Sequence, residues 1–247
     1  MLRKTKVILT ERDRRLFNYL QELKVASAKQ INRDIFEDTS NKAVYRRLKK
    51  LQSSKHIRKK AVNHFDQIKG GYSLSKQCFN ILHPDKYILR KEVSSKSMEH
   101  DLTLVDVRRA FITKDMVTEY IPENLLLLDM ANKHCDRLSD YYSMKSDAVV
   151  RVKFKKAQFD MAIEYESHMK TYKRYEKLLR NYYFKRDIGA VLYIVRSREV
   201  LKRVQAVDRK LSSKFTTKFY YALLDDVLNA KDELQFTTIL DETLTIK

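Results

Sequence analysis

The chain has 247 residues, with 51 Lys+Arg against 32 Asp+Glu, a net charge of +19, and 43% hydrophobic residues. Its 3 Gly, 2 Pro and 2 Cys exclude collagen-like, low-complexity and disulfide-scaffold classes, and the apolar content suffices for one or two cored domains. Cys78 and Cys135 show no CxxC or Cys/His ligand spacing, which argues for a reducing compartment and against a structural zinc. No apolar run approaches the ~18 residues of a membrane span, and the basic N-terminus lacks the apolar stretch of a secretion signal. The expectation is a soluble cytoplasmic protein with no membrane partner.

The charge is unevenly placed. Residues 1–96 hold 24 Lys+Arg and 9 Asp+Glu, a balance of +15; residues 97–247 hold 27 and 23, a balance of +4. This asymmetry predicts a polyanion-binding module followed by a nearly neutral second domain. Nucleic acid is the expected polyanion, because each neutralised phosphate releases counterions and adds affinity whatever the sequence.

Thr10 followed by Asp13 marks a helix start, after which Leu16, Phe17, Leu20 and Leu23 recur at helical spacing. A break at 24–27 precedes a second helix over 28–35, and the cluster 38–41 caps a third over 42–51. On that third helix Val44, Leu48 and Leu51 share the packing face, leaving Lys42, Tyr45, Arg46, Arg47, Lys49 and Lys50 for the other sides. Apolar where it packs and basic elsewhere, it has the profile of a recognition helix for the major groove of double-stranded DNA. Strand-like segments at 56–62 and 70–74 flank a polar loop at 63–69, and Gly70 and Gly71 are expected to supply positive φ at the hairpin. Three helices and a basic hairpin read as a winged helix-turn-helix over residues 1–76. Candidate DNA contacts beyond the third helix are Arg14 and Arg15 on the first, Arg58, Lys59 and Lys60 on the hairpin, and Lys69 in its loop.

A junction at 77–97, with a short helix over 77–82, leads to a second domain over 98–247. A helix over 98–111 carries His100 and Asp101, and 116–121 reads as an edge strand. The segments 148–154, 159–166 and 188–195 read as strands, 172–184 and 198–210 as helices, and 219–222 as the strand that closes the sheet. Interleaved strands and helices predict an α/β sandwich around a mixed sheet.

Residues two apart on a strand share a face, so Asp160, Glu164 and Glu166 project together, with Asp147 able to converge from the neighbouring strand. Such carboxylates are what a Mg²⁺ or Mn²⁺ ion needs to hold water against a phosphodiester. His100 and Asp101 are candidates for the same cleft. The competing reading makes Glu164 and Glu166 a solvated strand face, Asp147 a strand-entry residue and His100 a surface or core-capping histidine. No phosphate-binding glycine loop is present, and the 15 tyrosines are expected mostly to pack.

Three segments together resemble the plasmid replication-relaxation family, which pairs a winged helix with a divergent restriction-endonuclease-like domain. They are residues 9–16; residues 45–51 with the hairpin ending at 71–75; and residues 99–102 with 146–149 and 163–166. In the nuclease-like superfamily the pattern is Asp, then acidic-x-Lys. The resemblance places Asp147 and Glu164 at its first two positions, as the implied metal ligands, and puts Glu166 where a Lys is usual. Lys170, one helical turn later, could supply the ammonium instead.

The resemblance implies a DNA-binding protein of a plasmid or mobile element, acting in replication or its regulation. Its second domain would keep the nuclease-like fold without turnover, and hold a second copy or another replication or mobilisation protein. The alternatives are a metal-dependent DNA endonuclease or nickase using Asp147, Glu164 and Glu166, and a transcriptional repressor whose second half senses a signal.

Overall fold

The computed structural model describes residues 7–61, 70–82, 95, 97–131 and 136–247. The chain divides into two compact units, Met1–Val105 and Asp106–Lys247. The division falls later than the expected junction, much of which lies outside the described residues.

In the first unit α1 (Glu11–Leu23), α2 (Ala28–Ile35) and α3 (Asn41–Ser53) are joined by short turns. Two of them begin in capping boxes, Thr10 with Asp13 and Ser27 with Gln30, in which side chain and backbone satisfy each other's exposed helix-start groups. The break before α2 is more than a turn: β1 (Ala26–Ser27) pairs with β3 (Gly71–Leu74), which also pairs with β2 (Ile57–Lys60). Among the described residues these make an antiparallel sheet in the order β1-β3-β2. Leu16, Phe17, Leu20, Ile31, Val44, Leu48, Leu51 and Ile57 are buried together as the apolar spacing requires. The short α4 (Lys76–Leu82) follows β3 and buries Cys78, whose thiol burial pushes up to about 12. Cys135, like the hairpin loop with Lys69, lies outside the described residues.

The start of α5 (Met98–Ile112) belongs to this first unit. The Gln30 side-chain amide donates to the Leu102 carbonyl at 2.9 Å, and the Lys24 ammonium lies 3.6 Å from the Asp101 carboxylate.

Gly70 and Gly71 do not adopt the positive φ expected of them. Their requirement is room. A Cβ on Gly70 would lie 2.7 Å from the Lys60 carbonyl oxygen, and one on Gly71 would collide with a Val25 methyl and press on the Met98 sulfur at 3.1 Å. We therefore expect Gly71→Ala to destabilise the first unit by about 1–3 kcal/mol, the cost of overpacking a filled core. Thermal unfolding identical to the parent would refute the close approach.

The second unit is built on a mixed sheet of seven strands among the described residues. The second half of α5 leads into edge strand β4 (Val117–Pro122), followed by α6 (Glu123–Ala131) and α7 (Ser139–Met144). Then come β5 (Ala148–Phe154), β6 (Ala157–Glu166), α8 (Tyr172–Phe184), β7 (Val191–Val195), α9 (Arg198–Ser212) and β8 (Phe219–Leu223). β4, β5 and β6 form an antiparallel meander; β7 and β8 join parallel to β6, each after a helical crossover.

The sheet does not end at β8 as expected. After α10 (Leu224–Asn229), β9 (Leu234–Thr237) and β10 (Thr243–Ile246) extend it in antiparallel fashion. Five consecutive buried residues make β7 the centre, consistent with a strand covered on both faces. One sheet face, with Val149, Ala162, Tyr193 and Tyr221, packs against Tyr175, Leu179 and Tyr182 of α8 and Val200, Val204 and Val207 of α9. On α5, Phe111 meets Tyr120 and Phe236. Buried Asp208 of α9 accepts from the Tyr221 phenol at 2.8 Å and from the Tyr183 phenol. Burial raises the Asp208 carboxyl above its usual range despite these donors. Among the described residues no helix is long and apolar enough to cross a membrane.

Candidate functional site

α3 concentrates the first unit's exposed cations. With Val44, Leu48 and Leu51 turned inward, Lys42, Tyr45, Arg46, Lys49 and Lys50 are exposed. At 3.6 residues per turn these five occupy an arc of about 140°, centred opposite the buried face. Tyr45 is 55% exposed, so its ring stands on this arc and not in the core. Arg58, Lys59 and Lys60 are exposed along β2, where the Lys59 ammonium lies 5.7 Å from the centre of the Tyr72 ring. A cleft of about 470 Å³ runs beside β2, lined by Gln52, Lys55, Arg58, Lys59, Lys60 and Gln77 among others. Arg14 and Arg15 are exposed on α1.

Arg47 behaves differently from its neighbour. It turns off the exposed arc, and its guanidinium grips Asp13 through two bonds, one at 2.9 Å, while donating to the Ile8 carbonyl at 2.8 Å. Asp13 is fully buried and also accepts from the Thr10 amide at 2.7 Å. Burial pushes the Asp13 carboxyl up, but the Arg47 and Thr10 hydrogen bonds outweigh it and hold the group below the usual carboxylate range. Arg47 therefore ties α3 to the start of α1.

The carboxylates of the second unit are partly brought together. Ala148 pairs with Ile163, so Asp147 and Glu164 continue the same antiparallel register, and the Asp147 carboxylate accepts from the Tyr165 amide at 2.8 Å. Glu164 and Glu166 lie on the sheet face covered by α8. There Glu164 accepts from the Tyr182 phenol, which also bonds Ser146 at 2.7 Å. Burial together with the Glu164 charge drives the Tyr182 phenol well above its usual range, so it remains a proton donor.

Glu166 is buried, and the Lys170 ammonium reaches it at 2.6 Å. Lys170 sits in the coil between β6 and α8, not a helical turn further on as expected. Asp160 stands farther along β6, where Arg151 grips it at 2.8 and 2.9 Å and Arg137 lies at 3.3 Å. His100 and Asp101 fall in the first unit. Asp101 is buried, with His100 at 3.4 Å and Lys24 beyond it; these partners overcome the upward push of burial and lower its pKa. Among the described residues no group of three His, Cys, Asp or Glu side chains is placed to hold a metal ion.

Sequence reasoning missed Tyr182, Ser146 and Arg151 as partners of these acids. The helical period does mark Tyr182 as inward, in step with Tyr175 and Leu179, but nothing in it names the acceptor.

No family model matches the chain, and no curated protein matches it. Among solved structures it is similar to restriction endonuclease FokI bound to DNA, with 10% identity over 90% of this chain and a TM-score of 0.26. It is similar also to restriction endonuclease FokI, with 9% identity over 91% of this chain and a TM-score of 0.26. The chain spans less than half the length of these structures, 45% and 44%.

Proposed function

We propose that the chain binds double-stranded DNA through its first unit, used as a winged helix-turn-helix with α3 as the recognition helix. The observation that carries this reading is the exposed arc of Lys42, Tyr45, Arg46, Lys49 and Lys50, set opposite a buried apolar face. An α-helix fits the major groove, where Arg and Lys reach base edges and phosphates. The exposed Arg58, Lys59 and Lys60 supply further positive charge on the hairpin. A role in replication of a plasmid or mobile element is what the resemblance of the three segments adds. Titrating a labelled random-sequence duplex with the full chain tests the binding. Affinity should fall steeply with salt, and no detectable association at about 50 mM salt, where phosphate contacts are strong, would refute it.

The second unit has a second reading as a metal-dependent endonuclease, favoured by Asp147 continuing the register that pairs Ala148 with Ile163, opposite Glu164. Two features weigh toward a sheet without turnover. Glu164 is engaged by Tyr182, and Lys170 neutralises Glu166 in place of standing free beside a scissile phosphate. A bound divalent ion would stabilise the fold by about 2.7 kcal/mol at a hundred times its dissociation constant. We expect a small change in melting temperature at most with Mg²⁺ or Mn²⁺, and no nicking of supercoiled plasmid. A large shift abolished by Glu164→Gln, with nicking lost in the same variant, would establish the endonuclease reading.

A further inference from the structure

The second unit is nearly neutral as a whole, but its charge is segregated. Residues 171–214, which contain α8 and α9, hold 13 Lys+Arg and 4 Asp+Glu, a balance of +9; the rest of 97–247 holds 14 and 19, a balance of −5. Tertiary structure turns this segment into a face. α8 buries Tyr175, Leu179, Tyr182 and Tyr183, and α9 buries Val200, Val204, Val207 and Leu211, all toward one core. Their opposite sides carry exposed Lys173, Lys177 and Arg180 on α8, the last paired with Glu176 at 2.6 Å, and exposed Lys202 and Arg209 on α9, with Arg203 exposed at the flank. The helices are joined at their flanks, where the Lys210 ammonium covers the Tyr172 ring at 5.1 Å and the Tyr183 phenol donates to Asp208. A face needed only for solubility would intersperse both signs. A single-sign field attracts an extended polyanion, and it repels a second copy of itself.

We propose that the outer face of α8 and α9 is a second duplex-DNA contact surface, engaging the phosphate backbone independently of α3. Its cations lie along two helices with few acids between them, which suits a regularly spaced row of phosphates, and it reads no sequence. This builds on the DNA-binding function proposed for the first unit, and the two can fail separately.

The test uses the full chain on a 40-bp duplex of about 13 nm, long enough for contacts outside one recognition site at 3.4 Å per base pair. The parent is compared with Lys177→Gln/Lys202→Gln/Arg209→Gln and with a charge-keeping control, Lys177→Arg/Lys202→Arg/Arg209→Lys. These side chains are exposed, so all three proteins should melt alike. The expected result is a drop of up to about 2.7 in the slope of log affinity against log salt, at ~0.9 per lost phosphate contact, and restoration in the control. An unchanged slope overturns the α8–α9 surface whatever α3 does. Loss of binding to vesicles of anionic phosphatidylglycerol, with the DNA slope unchanged, overturns it in favour of a membrane surface. An Arg46→Ala/Lys49→Ala variant run in parallel reports on α3 alone: parental affinity there, with a reduced slope in the α8–α9 variant, would refute the recognition helix and leave the second surface standing.

Discussion

Replacing Arg46 and Lys49 by Ala should sharply weaken duplex binding and flatten its salt dependence. Both side chains are exposed near the centre of the α3 arc, away from the buried Val44, Leu48 and Leu51. If both contact phosphates, the slope of log affinity against log salt falls by up to about 1.8, at ~0.9 per contact. If either reaches a base edge, about 1–3 kcal/mol of discrimination at that position is also lost. Arg47 is left intact in this variant because it is bound to Asp13, and its removal would unsettle the helix pair and mimic a binding defect. Titration at several salt concentrations decides the outcome. A variant with parental affinity and slope throughout would remove α3 from the interface. Tyr45→Ala becomes a useful companion, since the ring is exposed and its loss should leave the fold intact.

The largest stability effect is expected at Asp13. Its carboxylate is fully buried, closes the α1 capping box and receives the Arg47 guanidinium. Asp13→Ala leaves Arg47 and the Thr10 amide without their acceptor. Breaking a buried pair costs about 3–5 kcal/mol; one-quarter exposure of Arg47 brings the expectation to about 2–4 kcal/mol. Hydrogen exchange at α1 and α3 amides, which resolves one unit from the other, is the appropriate measurement.

The pH dependence has a definite sign. The folded Asp13 pKa lies below 3.8, so its stabilisation is present above that pH and is lost as pH falls through the folded value. His56 stacks on Phe17 at 5.8 Å, and burial lowers its pKa from 6.5. The unfolded chain therefore takes up that proton first, and stability begins to decline as pH falls below 6.5. Asp13→Asn should shrink the lower step to the part carried by Asp101, whose pKa is also lowered, and keep the upper one. An acid transition identical to the parent's would show that the pair contributes nothing.

Helices α1, α2 and α3 were legible because each buried stripe repeats at helical spacing, and Thr10 and the 38–41 cluster mark the starts of α1 and α3. β1 was not, since two residues, Ala26 and Ser27, carry no period and become a strand only by pairing with Tyr72 and Gly71. β9 and β10 escaped notice for a similar reason: four residues each, they are defined by their partners across the sheet. The central strands of the second unit were plain from their apolar, β-branched runs, and the short spacing between β5 and β6 identified the hairpin.

Composition and periodicity by themselves determined a strongly basic first module with a helix apolar on one side, and a second module of interleaved strands and helices. Which charges are available was decided by tertiary structure. Arg46 and Arg47 are adjacent and chemically alike, but the 100° turn between them sends one to solvent and the other to Asp13. Glu164 and Glu166 share a strand face, but one meets a phenol and the other an ammonium, each delivered from the segment that follows β6. Net charge is a sum along the chain, and it averaged the basic α8–α9 segment against acids elsewhere in the second unit. Packing undoes that average, because burying the apolar sides of two helices against one sheet leaves their cations on the same outer face.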